Sequence, residues 1–346
     1  TGMCLVLSVI IVGAGQARER QITFSPKNHD LDNNDTFSHD GKYLCYDTRE
    51  FTGPGIENAT SIEMVHIETG EETCLYRPTD IIFGTEAAPG VGAVSFSPVA
   101  MEVAFIHGPP VAEVPARGYY GKPNRNGAMV PADGSGKLAW LDYRDVNTTR
   151  PTIPGAHRGG THRHEYARDG FRIGFTYDDF LLPQFDRTIG YLEPRPDAPG
   201  GASHYFAILV AVAPREKSRP GELEHAWVDR AGTMRAFIGK VREADGSYAQ
   251  SLFVAHVPRD VDITTADAGS ATRFPAPPEG VRVERLTQDY AEGIVRANAD
   301  GTQIAYYGKD MKGQDQIFLI AVDGSGPARQ VTRFTKGAGA GLRWHP

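Results

Sequence analysis

The stretch Tyr166–Asp179, YARDGFRIGFTYDD, decides the fold of this chain. It contains an aromatic residue, a short polar run ending in Asp169-Gly170, and then a segment in which apolar and polar residues alternate. Asp-Gly favours a tight turn because Gly accepts a positive φ and Asp hydrogen-bonds to its own backbone. Alternation with a period of two is typical of a half-buried strand. The stretch therefore predicts a β-hairpin.

The same pattern recurs along the chain, with variations. Its five copies begin at Phe37, Phe96, Tyr166, Trp227 and Ala297, and a further start stands at Trp344. The five copies are about 60 to 70 residues apart, which is typical of four-stranded blades with loops of varying length. Residues 62–76 and 317–332 each predict two more strands joined by a Gly-containing turn. The sequence therefore predicts an all-β protein, a β-propeller.

The Asp-Gly-strand repeat resembles the TolB-like propeller repeat. The resemblance implies seven blades in the complete protein, so we expect the chain to lack its final blade or blades. Residues 18–346 are expected to form this single propeller domain. Three Pro/Gly-rich segments are expected to be long loops that could carry binding groups: 109–136, 193–202 and 258–280.

The N-terminal segment predicts an exported protein. Residues 3–14, MCLVLSVIIVGA, are apolar and are followed by Gly15-Gln16-Ala17. This predicts a signal peptide over residues 1–17 without its basic start, and a buried N-terminal strand is the alternative. The segment is too short to span a membrane. We expect a periplasmic or secreted protein in which Cys45 and Cys74 either form a disulfide or remain two buried free thiols.

Composition excludes several classes of function. Of the 346 residues, 40% are hydrophobic and 23% are charged, which is typical of a globular protein. The formal net charge of −7 argues against a basic nucleic-acid-binding surface. The chain contains no GxSxG, HExxH, CxxC or phosphate-loop motif. Candidate functional residues must therefore be sought among the polar groups at strand ends.

Several segments also resemble a family of seven-bladed propeller proteins that includes uncharacterised bacterial proteins and the propeller-type ulvan lyases. The matching segments are 21–35, 89–109, 153–179, 186–191, 274–287 and the final WHP, 344–346. Such lyases cleave uronate-containing polysaccharides by β-elimination. This reaction needs an arginine to neutralise the uronate carboxylate, a base for the C5 proton and an acid for the departing O4.

The resemblance implies three catalytic residues. The family's histidine corresponds to His107 in FIHG, its tyrosine to Tyr177 in FTYDD and its arginine to Arg187 in DRTIGY. A second family histidine has no counterpart in residues 119–127, where Asn124 and Arg125 stand instead. Taken alone, the same residues could be structural: a histidine bonded to a backbone carbonyl, a core tyrosine, and an arginine paired with a neighbouring aspartate.

Basic and histidine residues suggest two further features. Arg125, Arg158, Arg163 and Arg187 could form a basic mouth that attracts an anionic polysaccharide. The H-x-H pair His162 and His164 would share one face of a strand and could bind a divalent metal, with His204 or His225 as further ligands. The alternative is that these are hydrogen-bonded histidines beside arginines.

The leading function is thus a polysaccharide lyase acting on a uronate-containing glycan, with Asn124 near the site. One alternative is a non-catalytic propeller that binds a protein or a glycan. The other is a metal-dependent lyase or hydrolase built on the histidine pair. No cofactor is implied other than that divalent metal.

Overall fold

The computed structural model describes residues 20–31, 35–51, 54–214, 225–339, 342 and 344. The predicted signal peptide, residues 1–17, lies outside these residues and stays a prediction. The described residues form antiparallel sheets with very little helix.

Five sheets follow one another along the chain, and we call them blades 1 to 5. Blade 1 contains β1 (Tyr43–Asp47), β2 (Ile62–His66) and β3 (Glu72–Tyr76). Blade 2 contains β4 (Val91–Phe96), β5 (Glu102–His107), β6 (Asn126–Pro131) and β7 (Ala139–Trp140). Blade 3 contains β8 (Gly160–Tyr166), β9 (Ile173–Asp178), β10 (Thr188–Pro194) and β11 (His204–Ile208).

The last two blades have the same order of strands. Blade 4 contains β12 (His225–Trp227), β13 (Met234–Arg242), β14 (Tyr248–His256) and β15 (Arg282–Arg285). Blade 5 contains β16 (Ala291–Ala297), β17 (Gln303–Lys309), β18 (Asp315–Ala321) and β19 (Arg329–Gln330). The helical segments are α1 (Val114–Arg117) and 3₁₀ helices at Ile56–Asn58, Val111–Glu113, Pro199–Gly201 and Ile263–Thr265.

The hairpins predicted from the repeat are confirmed. Four of them join the first two strands of blades 2 to 5, as in β8–β9, where Tyr166 pairs with Ile173. In blade 1 the segment before β1 forms isolated bridges from Asp30 to Asp47 and from Phe37 to Leu44. The turn in the β8–β9 hairpin needs Gly170, whose φ is +76°.

Apolar side chains fill the spaces between successive blades, which makes the protein a β-propeller. The first strands of successive blades contact one another: β1 contacts β4, β4 contacts β8, β8 contacts β12, and β12 contacts β16. One core lies between blades 1 and 2 and includes Leu75 and Phe105, and another lies between blades 2 and 3 and includes Leu141 and Phe175. The cores between blades 3 and 4 and between blades 4 and 5 follow the same arrangement. Each blade is therefore stabilised by its neighbours.

One predicted loop is partly wrong. Residues 109–136 contain α1 and β6, because residues 126–131 pair along the whole length of β5. Gly127 and Pro131 lie within this strand, so the Pro/Gly content of the segment concealed it. Among the described residues, no helix has the length and apolar character needed to cross a membrane.

Both described cysteines are free thiols: Cys45 is buried in β1, whereas Cys74 is exposed on β3, so the expected burial is wrong for Cys74. Burial raises the pKa of Cys45 well above its usual value. We expect iodoacetamide to alkylate Cys74 in the native protein and to reach Cys45 only after unfolding, because the thiolate is the reactive form. Peptide mapping by mass spectrometry measures both. Equal labelling of the two residues under native conditions would contradict the prediction.

Candidate functional site

Polar side chains gather at one end of blades 1 to 3, which we call the upper end. Strands β1, β5 and β9 finish there, and β4, β6, β8 and β10 begin there, because neighbouring strands are antiparallel. The loops 108–125, 141–159 and 179–187 therefore lie at this end. The residues singled out from the sequence lie on these loops or on the adjoining strands.

A buried carboxylate, Asp142, lies at the centre of the polar network between blades 2 and 3. It accepts hydrogen bonds from Asn126 Nδ2 (2.7 Å), Thr161 Oγ1 (2.6 Å) and the Gly127 amide (3.0 and 3.1 Å). His157 Nε2 lies 3.3 Å from its Oδ1. Burial opposes the charged form, but the charges and hydrogen bonds of His157 and His164 hold the pKa of Asp142 well below its usual value. Asp142 therefore stays ionised and links the two blades.

Asn124 braces a loop through both polar groups of its side chain. Its Nδ2 donates to the carbonyls of residues 117, 118 and 119, at 3.0, 3.2 and 2.7 Å. Its Oδ1 accepts from Arg144, whose Nε also donates to the Arg158 carbonyl at 3.2 Å. The guanidinium of Arg144 lies over the Phe180 ring, 4.6 Å from its centroid. Asn124 thus positions the loop before β6.

Glycine lets that loop approach the next blade. A Cβ at Gly160, the first residue of β8, would lie 2.1 Å from the Lys122 carbonyl oxygen. A Cβ at Gly127 would lie 2.6 Å from His164 Nε2. The glycines of PNRNG and RGGTHRH therefore permit the contact between blades 2 and 3.

Tyr177 belongs to the core between blades 2 and 3. Its ring is fully buried and packs edge-on against Phe206. Its hydroxyl donates to Asp179 Oδ2 at 2.9 Å, and Arg158 Nη2 donates to the same oxygen at 2.8 Å. Burial, and then the charge of Asp179, raise the pKa of Tyr177 well above its usual value. These contacts are those of a core tyrosine, which was the structural alternative given for Tyr177 from the sequence.

His107 has hydrogen-bond partners on both ring nitrogens. Its Nδ1 lies 2.6 Å from the Gly108 carbonyl oxygen, so Nδ1 carries the proton and donates. Its Nε2 then accepts from the Tyr76 hydroxyl at 2.9 Å, and the ring packs edge-on against Trp140. Burial lowers the pKa of His107 to about 4. His107 is therefore neutral at physiological pH, and its lone pair is already occupied.

We call Arg125 and Arg187 the arginine pair. Burial lowers the pKa of Arg125, and the charge of the nearby Arg187 lowers it further. Arg125 is 4% exposed, and its guanidinium stacks 5.0 Å from the centroid of Tyr120. Among the described residues, Nε and Nη1 of Arg125 have no hydrogen-bond partner. Arg187 Nε donates to Asp178 Oδ2 at 2.8 Å. Burial and then Arg125 also hold the pKa of His162 well below its usual value.

The two histidines of the H-x-H pair lie in different surroundings. A β-bulge interrupts β8 between His162 and Glu165, and Arg163 inside it has a φ of +56°. The strict alternation assumed from the sequence therefore does not hold here. His164 Nε2 bonds to Thr161 Oγ1 at 3.1 Å, whereas His162 lies near the arginine pair.

The further histidines are engaged elsewhere. His204 Nδ1 lies 2.7 Å from Ser203 Oγ, and His225 Nδ1 accepts from Arg235. Within the described ranges, no group of three or more His, Cys, Asp or Glu residues is arranged to hold a metal ion. Because arginines surround His162, this neighbourhood does not fit a divalent cation.

Sequence reasoning missed Asp142 and Arg144. Both follow β7, a strand of only two residues that no hairpin motif in the sequence predicted. A weak signal did exist, since Asp47 and Asp178 also stand at strand ends on the upper end. Arg163, predicted for the basic mouth, lies in the bulge, and its charge acts both on His162 and on His225 of blade 4.

Fold and site together define a β-propeller protein with a buried polar network and an arginine pair at the upper end of blades 2 and 3. The chain is 31% identical to the Escherichia coli K12 protein YidR, described as uncharacterized, over 94% of this chain and 82% of YidR. The chain belongs to the same family as YidR. Residues 90–198, which contain blade 2 and most of blade 3, match the family described as "Protein of unknown function (DUF3748)".

Solved propeller structures also resemble the chain. A putative TolB from Agrobacterium tumefaciens is 12% identical with a TM-score of 0.45, covering 90% of this chain and 83% of that one. TolB from Acinetobacter baumannii is 13% identical with a TM-score of 0.42. The match covers 88% of this chain and about half, 54%, of that TolB. The β-propeller domain of the Trilobed protease from Pyrococcus furiosus is 9% identical with a TM-score of 0.44, covering 88% and 70%.

Proposed function

We propose that this protein is a binding propeller that takes a carboxylate-bearing ligand at the arginine pair. The observation that carries the proposal is Arg125, a guanidinium that is 4% exposed and has two nitrogens without a hydrogen-bond partner among the described residues. A buried guanidinium with unsatisfied N–H groups is costly, and a bound carboxylate would satisfy them with charge-assisted hydrogen bonds. The neighbouring Arg187 adds a second guanidinium, which is ion-paired with Asp178 through its Nε.

An acidic glycan is the ligand that the sequence resemblance implies. A uronate carboxylate is a planar acceptor that suits a guanidinium. The predicted signal peptide supports a periplasmic or secreted location, where such glycans occur.

Polysaccharide lyase activity is the second candidate, favoured by the position of His107, Tyr177 and Arg187 at one end of neighbouring blades. β-Elimination needs a base that can reach the C5 proton. The Nε2 lone pair of His107 accepts from Tyr76, and the Tyr177 hydroxyl donates to Asp179. Both side chains are buried. These contacts favour binding over elimination.

We expect Arg125→Gln to weaken the binding of oligogalacturonate at least about tenfold, because one charge-assisted hydrogen bond contributes about 1.5–3 kcal/mol. Isothermal titration calorimetry with the full chain measures the change, and ultraviolet absorbance of the new C4=C5 double bond detects elimination. Arg195→Gln is the matched control, because Arg195 pairs with Asp197 on the surface. Unchanged affinity in Arg125→Gln, or no binding of any acidic glycan, would overturn the proposal. A rise in absorbance would establish the lyase instead.

A further inference from the structure

A cavity of about 620 Å³ opens between blades 3 and 4, beside the arginine pair. Its blade 3 side contains residues 186–189 and 210–214, and its blade 4 side contains residues 237–242. This volume lies within the range of ligand-binding sites, about 300–1,000 Å³. It is about four times the size of an apolar cavity that holds a benzene ring, about 150 Å³.

Most of the side chains along the cavity are apolar. They include Ile189, Val210, Val212, Val241 and Phe253. Sugar hydroxyls placed against such walls would lose their hydrogen bonds to water without replacing them, which is unfavourable. An alkyl or acyl group would instead gain about 25 cal/mol for each Å² of surface removed from water. The walls therefore fit an apolar group.

Arg187 lines this cavity and also belongs to the arginine pair. Within the described structure its hydrogen bond to Asp178 uses Nε, which leaves the two terminal nitrogens of the guanidinium for a ligand. The cavity thus combines apolar walls with charged side chains, which are Asp186, Lys240 and Arg242 besides Arg187.

We propose that the cavity binds the apolar part of an amphiphilic carboxylate whose charged end lies on Arg187. The inference rests on the proposed carboxylate site and adds the chemical nature of the group next to the carboxylate. The ligand class is an acid with an alkyl or acyl chain, and a bare acidic sugar would use the arginine pair alone.

The test is calorimetric titration of the full chain with laurate, acetate and dodecyltrimethylammonium, each below its micelle concentration. We expect laurate to bind at least about a hundredfold more tightly than acetate, because acetate lacks the apolar chain. The cation has the same chain with the opposite charge and should bind at least about tenfold more weakly than laurate.

Substitutions at the rim of the cavity test the role of the cavity independently of the arginine pair. Ala213 lines the cavity and is exposed, so Ala213→Trp narrows the cavity without entering the core, and Ala211→Trp is a second variant of this kind. We expect either variant to weaken laurate binding at least about tenfold while the affinity for oligogalacturonate stays within about twofold. Ala299→Trp, on the exposed turn between β16 and β17, is the control and should change neither affinity.

Equal laurate affinity in Ala213→Trp and Ala299→Trp, or equally tight binding of the cation, would overturn the inference. If oligogalacturonate binds and laurate does not, the inference fails and the proposed function stands. If neither binds to the folded protein, both fail.

Discussion

Asp142→Ala is expected to lower the free energy of unfolding by about 3–5 kcal/mol, the cost of removing one member of a buried charged network. Asp142 is fully buried and accepts hydrogen bonds from Asn126, Thr161 and the Gly127 amide. Alanine would leave these donors without an acceptor between blades 2 and 3. Urea unfolding followed by tryptophan fluorescence measures the loss.

The matched control is Asp245→Ala. Asp245 lies on an exposed turn, where it accepts only local hydrogen bonds from Ser247. We expect little change in the urea midpoint of this variant. A similar midpoint for Asp142→Ala and wild type would show that the network contributes nothing to stability.

The same carboxylate makes stability depend on pH. Its pKa in the folded protein lies well below the value of about 3.9 expected in the unfolded chain. The stabilisation is therefore complete above that value and is lost as the pH falls below about 4. We expect Asp142→Asn to show a weaker decline of stability between pH 5 and about 3 than wild type. Parallel pH curves would contradict this assignment.

Arg172→Met should also cost about 3–5 kcal/mol of unfolding free energy. Arg172 precedes β9, is fully buried, and donates to Glu193 at 2.9 Å. It also donates to the carbonyls of Gly232, Val257 and Pro258, at 3.0, 2.6 and 3.2 Å. Methionine fills similar space but leaves these buried acceptors unpaired, so the contact between blades 3 and 4 should weaken.

Chemical denaturation of Arg172→Met measures this effect, with Arg195→Met as the control. Arg195 pairs with Asp197 on the surface of the same blade, and such pairs contribute little. If both variants unfold at the same urea concentration, Arg172 does not link the blades as its contacts indicate.

Part of the site could be predicted from the sequence. The RGGTHRH and DRTIGY segments pointed to blade 3, and Arg125 and Arg187 do lie close together. The roles of His107, Tyr177 and Asn124 could not be predicted from the sequence. Whether a histidine lone pair is free depends on residues such as Tyr76, which is distant in sequence and contributed by another blade.

By itself the sequence determined the blades, because Asp-Gly turns and alternating polarity act over a few residues. Each hairpin is therefore specified by its own local sequence. The tertiary structure alone decided which charges are paired. Asp142 is saturated with donors while Arg125 keeps two nitrogens unpartnered within the described residues, although both belong to polar segments at strand ends. The physical reason is that burial and partner choice arise only when blades 2 and 3 pack together, and electrostatic interactions depend on that distance and not on separation along the chain.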